Sequence, residues 1–200
     1  MIATLIRIIA GAQARWIGCA PVAVQRIYFA NHSSHLDFPV IWASLPDALR
    51  ARTRPVAARD YWDASRLRRY LANDVFRAVM IDRKRSAGHD NPLLPMEQAI
   101  EAGDSLIIFP EGTRKVDEDA DLAPFKAGLY NLARRYPRLE LVPVHLVNLN
   151  RILPKGELIL VPLLAAVRFG TPIRPLADET KEEFLQRARS AVAGLEDALE

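Results

Sequence analysis

The chain predicts a single α/β domain over residues 1–200, with a largely parallel sheet flanked by helices and an amphipathic helix at the amino end. Three observations carry that reading. Short apolar runs of strand length alternate with longer stretches of helical period. The 200 residues, half of them apolar, suit one domain with a sizeable core. No linker-like stretch or internal repeat divides them.

The first element is a helix over residues 1–18. On a helical wheel Thr4, Arg7, Gly11 and Arg15 form a narrow polar strip, while Ile2, Leu5, Ile6, Ile9, Ala12 and Trp16 cover much of the rest. Arg7 and Arg15 leave no run near the roughly 20 apolar residues that a spanning helix needs. A signal peptide would carry its bases before the apolar stretch, not within it. The pattern suits a helix lying in a membrane interface, or one docked on the protein's own core.

Next, "VAVQRIYFA" reads as a strand, and "HLDFPVIWASL" as a helix whose first turn accommodates Pro39. "RTRPVAA" is a second strand, "DASRLRRYLAND" a helix, and "FRAVMI" a strand ending at Asp82. "NPLLPMEQAIEAG" has proline early and glycine late, the usual helical asymmetry. "SLIIF" is a continuous apolar strand of the kind buried on both faces. "KAGLYNLARRY" is a helix, "LELVPVHLV" a strand, and "LILVPLLAAVRF" holds one or two strands around Pro162. "ETKEEFLQRARSAVAGLEDAL" closes the chain as an amphipathic helix.

Charge is balanced overall at +3 but unevenly spread. Arg50 to Arg85 holds eleven basic residues against four acids, and Asp178 to Glu200 seven acids against three bases. The basic third is a solvated surface or an attractor of phosphate, CoA, acidic carrier proteins or anionic lipid. Its aromatics form no stacking pattern, so no nucleic-acid partner is expected. The single cysteine, Cys19, cannot form an internal disulfide, and a reducing compartment is the simplest expectation.

Sheets of this kind place their chemistry at the carboxyl ends of strands. Three polar clusters follow predicted strands: "NHSSHLD", "DRKR" and "PEGTR". The first could bind a metal, but only His89 and His145 remain to complete a histidine shell, and neither has a recognisable ligand spacing. No metal is expected. The same stretch also fits a capping box, Ser34 taking backbone N–H groups and Asp37 reaching back. "GDSL" at Gly103–Leu106 matches an esterase string, yet here it precedes its strand, which puts Ser105 at the wrong end of the sheet.

Taken together, these blocks resemble the glycerolipid acyltransferase family, whose members acylate lysophosphatidic acid or glycerol 3-phosphate. An N-H-x4-D signature stands at Asn31, His32 and Asp37, and an I-D-R block at Ile81, Asp82 and Arg83. The E-G-T-R block is Glu111, Gly112, Thr113 and Arg114, followed by F-K-x-G at Phe125, Lys126 and Gly128. Val142-Pro143-Val144 and "FGTPI" at 169–173 extend the match, which runs in the family's order from about residue 27 to 175. Arg77 and Met80 stand where the family often has Gly and Phe, and Lys115 where it commonly has Ser.

The chemistry suits these residue types. Acyl transfer from a thioester to an alcohol needs a base for the hydroxyl proton, and an imidazole does that work near pH 7. The resemblance implies His32 as that base and Asp37 as its orienting carboxylate, with no enzyme nucleophile required. Arg83 and Arg114 would hold the acceptor's phosphate through their planar forks. Asn31, Glu111, Gly112, Thr113 and Lys126 complete the expected substrate-binding set, with Glu111 on the acceptor's hydroxyls or positioning a loop. No cofactor is implied; acyl-CoA or acyl-carrier protein serves as co-substrate. The expected acceptor is a lysophospholipid, first lysophosphatidic acid, with a lyso-aminolipid or glycerol 3-phosphate as alternatives. The expected place of work is the cytoplasmic face of a membrane. A metal- or serine-dependent lipid hydrolase, or a lipid-binding module without turnover, would be the rival classes.

Overall fold

The computed structural model describes residues 2–34, 36–82, 91, 93–113, 122–147 and 165–196. In chain order it contains helix α1 (Ile2–Ala10), strands β1 (Gln13–Trp16) and β2 (Arg26–Ala30), and helices α2 (Asp37–Ser44) and α3 (Asp47–Arg50). Strand β3 (Thr53–Ala58), helices α4 (Arg59–Trp62) and α5 (Arg66–Tyr70) and strand β4 (Val79–Ile81) follow. Helix α6 (Leu94–Glu101), strand β5 (Ser105–Ile108) and helix α7 (Gly128–Arg135) come next. Strands β6 (Glu140–Val147) and β7 (Ala166–Phe169) and helix α8 (Lys181–Ala193) complete it.

The strands form one sheet in the order β1-β7-β6-β2-β5-β3-β4. Every pair from β6 to β4 is parallel. β7 runs antiparallel to β6, and β1 parallel to β7, so this edge pair is reversed against the other five. The predicted largely parallel sheet is therefore the observed one.

β2 and β5 are buried along their whole length, as expected of central strands covered on both faces. Their side chains alternate between two cores. Tyr28, Ala30 and Ile107 join Val142, Val144 and Phe169 under α1 and α2. Ile27, Phe29, Leu106 and Ile108 pack beneath α6, α7 and α8. Each such Val, Leu, Ile or Phe side chain contributes about 1.5–3 kcal/mol by leaving water, which makes this three-layer arrangement the main source of stability.

The amino-terminal helix is shorter than the sequence predicts. It stops at Ala10, where Gly11 adopts φ +54°, and the Ala12 and Gly11 N–H groups return to the Arg7 and Ile8 carbonyls. That is a glycine-terminated helix end. Gln13–Trp16 then joins the sheet as an edge strand, so Gly11 and Arg15 do not continue a helical polar strip. Within α1, Ala3 and Ala10 are buried, and the helix packs on α2. Leu5 (57% exposed) and Ile8 (73%) face outward with Ile2 and Ile9.

The predicted helix over 63–74 is also built differently. Ser65 caps α5 by accepting the Arg68 N–H, and the chain then widens into a π turn over Leu71–Val75, closed by Phe76 N–H to the Leu71 carbonyl. Of the strand region around Pro162, only residues 165–169 are described, with the strand running over Ala166–Phe169. α8 begins with a reciprocal capping box between Thr180 and Glu183.

Candidate active site

Because β6, β2, β5, β3 and β4 run in one direction, the loops after β2, β4 and β5 leave the sheet at the same edge. The first loop begins with Asn31. Its side-chain amide bonds the Leu146 backbone twice, accepting from the N–H at 2.8 Å and donating to the carbonyl at 3.1 Å. In effect it adds one more rung to the β2–β6 ladder. A residue expected to bind substrate is here committed to the backbone, and it fixes where His32 stands.

His32 and Asp37 meet across a short turn. Asp37 Oδ2 lies 2.7 Å from His32 Nδ1 and also accepts the backbone N–H groups of Ser33 at 2.7 Å and Ser34 at 2.9 Å. The Asp37 side chain is fully buried, whereas that of His32 is 14% exposed. The capping reading and the catalytic reading of Asp37 thus describe the same oxygen. Ser34 is not the N-cap of α2; its hydroxyl accepts the N–H of the N-cap residue, Leu36, whose own side chain supplies no capping bond. With Nδ1–H directed at a carboxylate, Nε2 is left with the lone pair, as a general base requires.

The loop after β5 supports this dyad from the other side. The Phe109 ring stacks on the His32 imidazole, with centroids 4.3 Å apart and planes at 18°. Glu111 is buried, and its carboxylate accepts the His32 backbone N–H at 2.8 Å and the Ala123 N–H at 3.0 Å. It therefore joins the histidine to the segment that leads into Phe125 and Lys126. Gly112 takes φ +74°, and a β-carbon there would overlap the Lys126 side chain, so the Lys126 ammonium lies over this turn. The Lys126 N–H also reaches the Pro110 carbonyl. Thr113 stands exposed at the end of the turn.

After β4, Asp82 faces Arg59 at 3.3 Å, an ion pair linking the carboxyl ends of β3 and β4. Arg83, Arg114 and His35 lie outside the described residues. Arg77 is at the opposite edge of the sheet, with its guanidinium near the Ala51 carbonyl and Asp104. Ser105 also belongs to that opposite edge, where its hydroxyl accepts the Arg26 N–H at 3.0 Å. A serine-dependent route through Ser105 and His32 has no supporting geometry. Among the described residues, no three His, Cys, Asp or Glu side chains form a metal-binding group.

Two contributors to the site escaped the sequence reading. Phe109 looked like the end of an apolar strand, and nothing in the sequence marks it as a surface for the imidazole. Arg59 sits 23 residues from Asp82, and only strand order makes them neighbours.

The profile of the family described as Acyltransferase matches residues 20–147. The chain is 29% identical over 183 residues to a 1-acyl-sn-glycerol-3-phosphate acyltransferase of Limnanthes douglasii, covering 82% of this chain and 59% of that protein. It is 28% identical over 186 residues to the enzyme of the same description from Cocos nucifera, covering 88% and 56%. The chain thus spans less than two thirds of the length of these relatives. The crystal structure of the 1-acyl-sn-glycerophosphate (LPA) acyltransferase PlsC from Thermotoga maritima superposes with a TM-score of 0.71 at 19% identity, over 98% of this chain and 79% of that one. That likeness concerns the fold.

Proposed function

We propose that this chain, which belongs to the acyltransferase family, moves a fatty acyl group from a thioester to the hydroxyl of a lysophospholipid. The donor is acyl-CoA or acyl-carrier protein, and the first acceptor to consider is lysophosphatidic acid, giving phosphatidic acid. The observation that carries the reading is the 2.7 Å contact of His32 Nδ1 with a buried carboxylate that two backbone N–H groups hold in place.

In the proposed reaction, His32 Nε2 takes the acceptor's hydroxyl proton as its oxygen attacks the thioester carbonyl. Asp37 keeps the ring oriented and stabilises the imidazolium. Collapse of the tetrahedral intermediate breaks the C–S bond and expels the thiolate, which takes the proton from imidazolium. Lys126, over the Gly112 turn, supplies positive charge beside the site, and Arg83 and Arg114 are proposed to grip the phosphate. The outward apolar face of α1 supports work at a membrane surface, which we take to be the cytoplasmic one because the proposed acceptor and product both lie there. Among the described residues, no helix is long and apolar enough to cross a bilayer.

The test is thiol release from acyl-CoA or acyl-carrier protein by purified protein, with and without lysophosphatidic acid, beside His32→Ala. Acceptor-dependent release that disappears in the variant is the expected result. Release independent of acceptor would replace the reading with thioester hydrolysis, and near-normal transfer by His32→Ala would remove the mechanism.

A further inference from the structure

We infer that α5 forms a docking contact for an anionic lipid surface, separate from the apolar face of α1. The inference deepens the proposed reaction, on which it rests for an acceptor drawn from that surface.

Leu67 is 67% exposed and Tyr70 55%. Three residues apart, they share one face of the helix, and Arg66 and Arg69 repeat the same spacing beside them. Arg68 lies over the Tyr61 ring at 4.4 Å. A single exposed leucine means little. An exposed Leu–Tyr pair among three arginines is a different matter, because it places apolar anchors where acyl chains begin and guanidinium groups where phosphates lie. Arg69 is shared with Asp63 at 3.8 Å, whereas Arg66 and Arg68 have no acidic partner among the described residues.

The position fits as well. Trp62, at the end of α4, lies 5.1 Å ring to ring from Phe38, the neighbour of Asp37. Trp62 and Ile6 of α1 border the same core cluster, which places α1, α2 and α4 in one helical layer. An acidic protein would also match the arginines of α5. It would leave the outward face of α1, with Leu5, Ile8 and Ile9, uncovered. A bilayer can engage both elements.

The test is flotation of the full chain with vesicles of phosphatidylcholine, alone or mixed with phosphatidylglycerol. The chain should bind the mixed vesicles more tightly, and added salt should weaken that preference. The double variant Arg66→Gln, Arg68→Gln should lose roughly thirtyfold in partition to the mixed vesicles, two near-surface bases being removed. Leu67→Ser should weaken binding to both kinds of vesicle. Unfolding midpoints matching the parent would exclude misfolding as the cause. Wild-type partition by the double variant would overturn the inference. So would retained vesicle binding with turnover lost only for acyl-carrier-protein donors, which would make α5 a protein dock. Vesicle binding is read without turnover, so this inference and the proposed reaction can fail independently.

Discussion

Glu111 accepts the backbone N–H of His32 at 2.8 Å, so the motif after β5 supports the motif after β2 from beneath. Its second oxygen holds Ala123. Glu111→Ala leaves two inward N–H groups without a partner, a loss of about 1–3 kcal/mol in stability. Displacement of His32 should lower kcat about a hundredfold, as small misplacements of a catalytic group do. Steady-state kinetics with varied acceptor is the check. A raised acceptor KM at unchanged kcat would instead make Glu111 a substrate contact.

Asp37→Asn keeps the size of the side chain and removes its charge. One amide oxygen can still accept from Ser33 and Ser34, but the imidazolium loses its counter-charge. We expect kcat to fall by on the order of 10⁴-fold, the magnitude associated with replacing a triad aspartate. The fold should persist, which circular dichroism would show. A fall of less than about tenfold would mean that the dyad's electrostatics matter little here.

Arg77 tests whether its charge serves the acceptor. It adopts φ +51°, a left-handed conformation that costs a non-glycine residue about 1–2 kcal/mol. Arg77→Gly removes that cost along with exposed contacts to Ala51 and Asp104. Stability should change by no more than about 1 kcal/mol, and transfer should be retained. A large rise in acceptor KM would contradict its placement at the far edge of the sheet.

The carboxyl of Glu179 is held below the ordinary carboxylate range by hydrogen bonds from Arg187, with help from the Leu176 N–H. A carboxyl lowered by folding stabilises the protein above its unfolded value and loses that contribution as pH falls through its folded value. Arg187→Ala should therefore lower the unfolding midpoint at neutral pH, and by less as the solution is acidified. Thermal melts across that range give the answer; an equal deficit at every pH would point to lost packing alone.

The central strands were legible because burial on both faces leaves continuous apolar runs, as in "RIYFA" and "SLII". β1 was not, because "QARW" is a four-residue, largely exposed edge strand, too short for its alternation to stand out from the helical pattern that runs into it. The end of α1 was overrun because Gly11 falls on the polar strip of a helical wheel, where it looks like any small residue. In the site, the pairing of His32 with Asp37 was legible through the resemblance carried by the N-H-x4-D block, whereas spacing alone favoured a cap for Asp37. Asn31 was not, because its partner Leu146 lies 115 residues away and is a backbone group, which no motif of side chains records. The turn over Leu71–Val75 escaped for a similar reason: widening of a helix leaves no compositional mark.

His32, Ser33 and Ser34 all bond the same Asp37 oxygen inside a single six-residue arc. Closing so short a loop costs little chain entropy, so the proposed proton-transfer unit can assemble from its own neighbours. Glu111, which steadies it, comes from 79 residues away, on a loop shared with Gly112 and Lys126. Reactivity is thus written locally, while the surroundings of the acceptor come from distant segments. On the proposed mechanism, substitutions in these distant segments that spare Phe109 and Glu111 would retune which alcohol is accepted while leaving the proposed base in place.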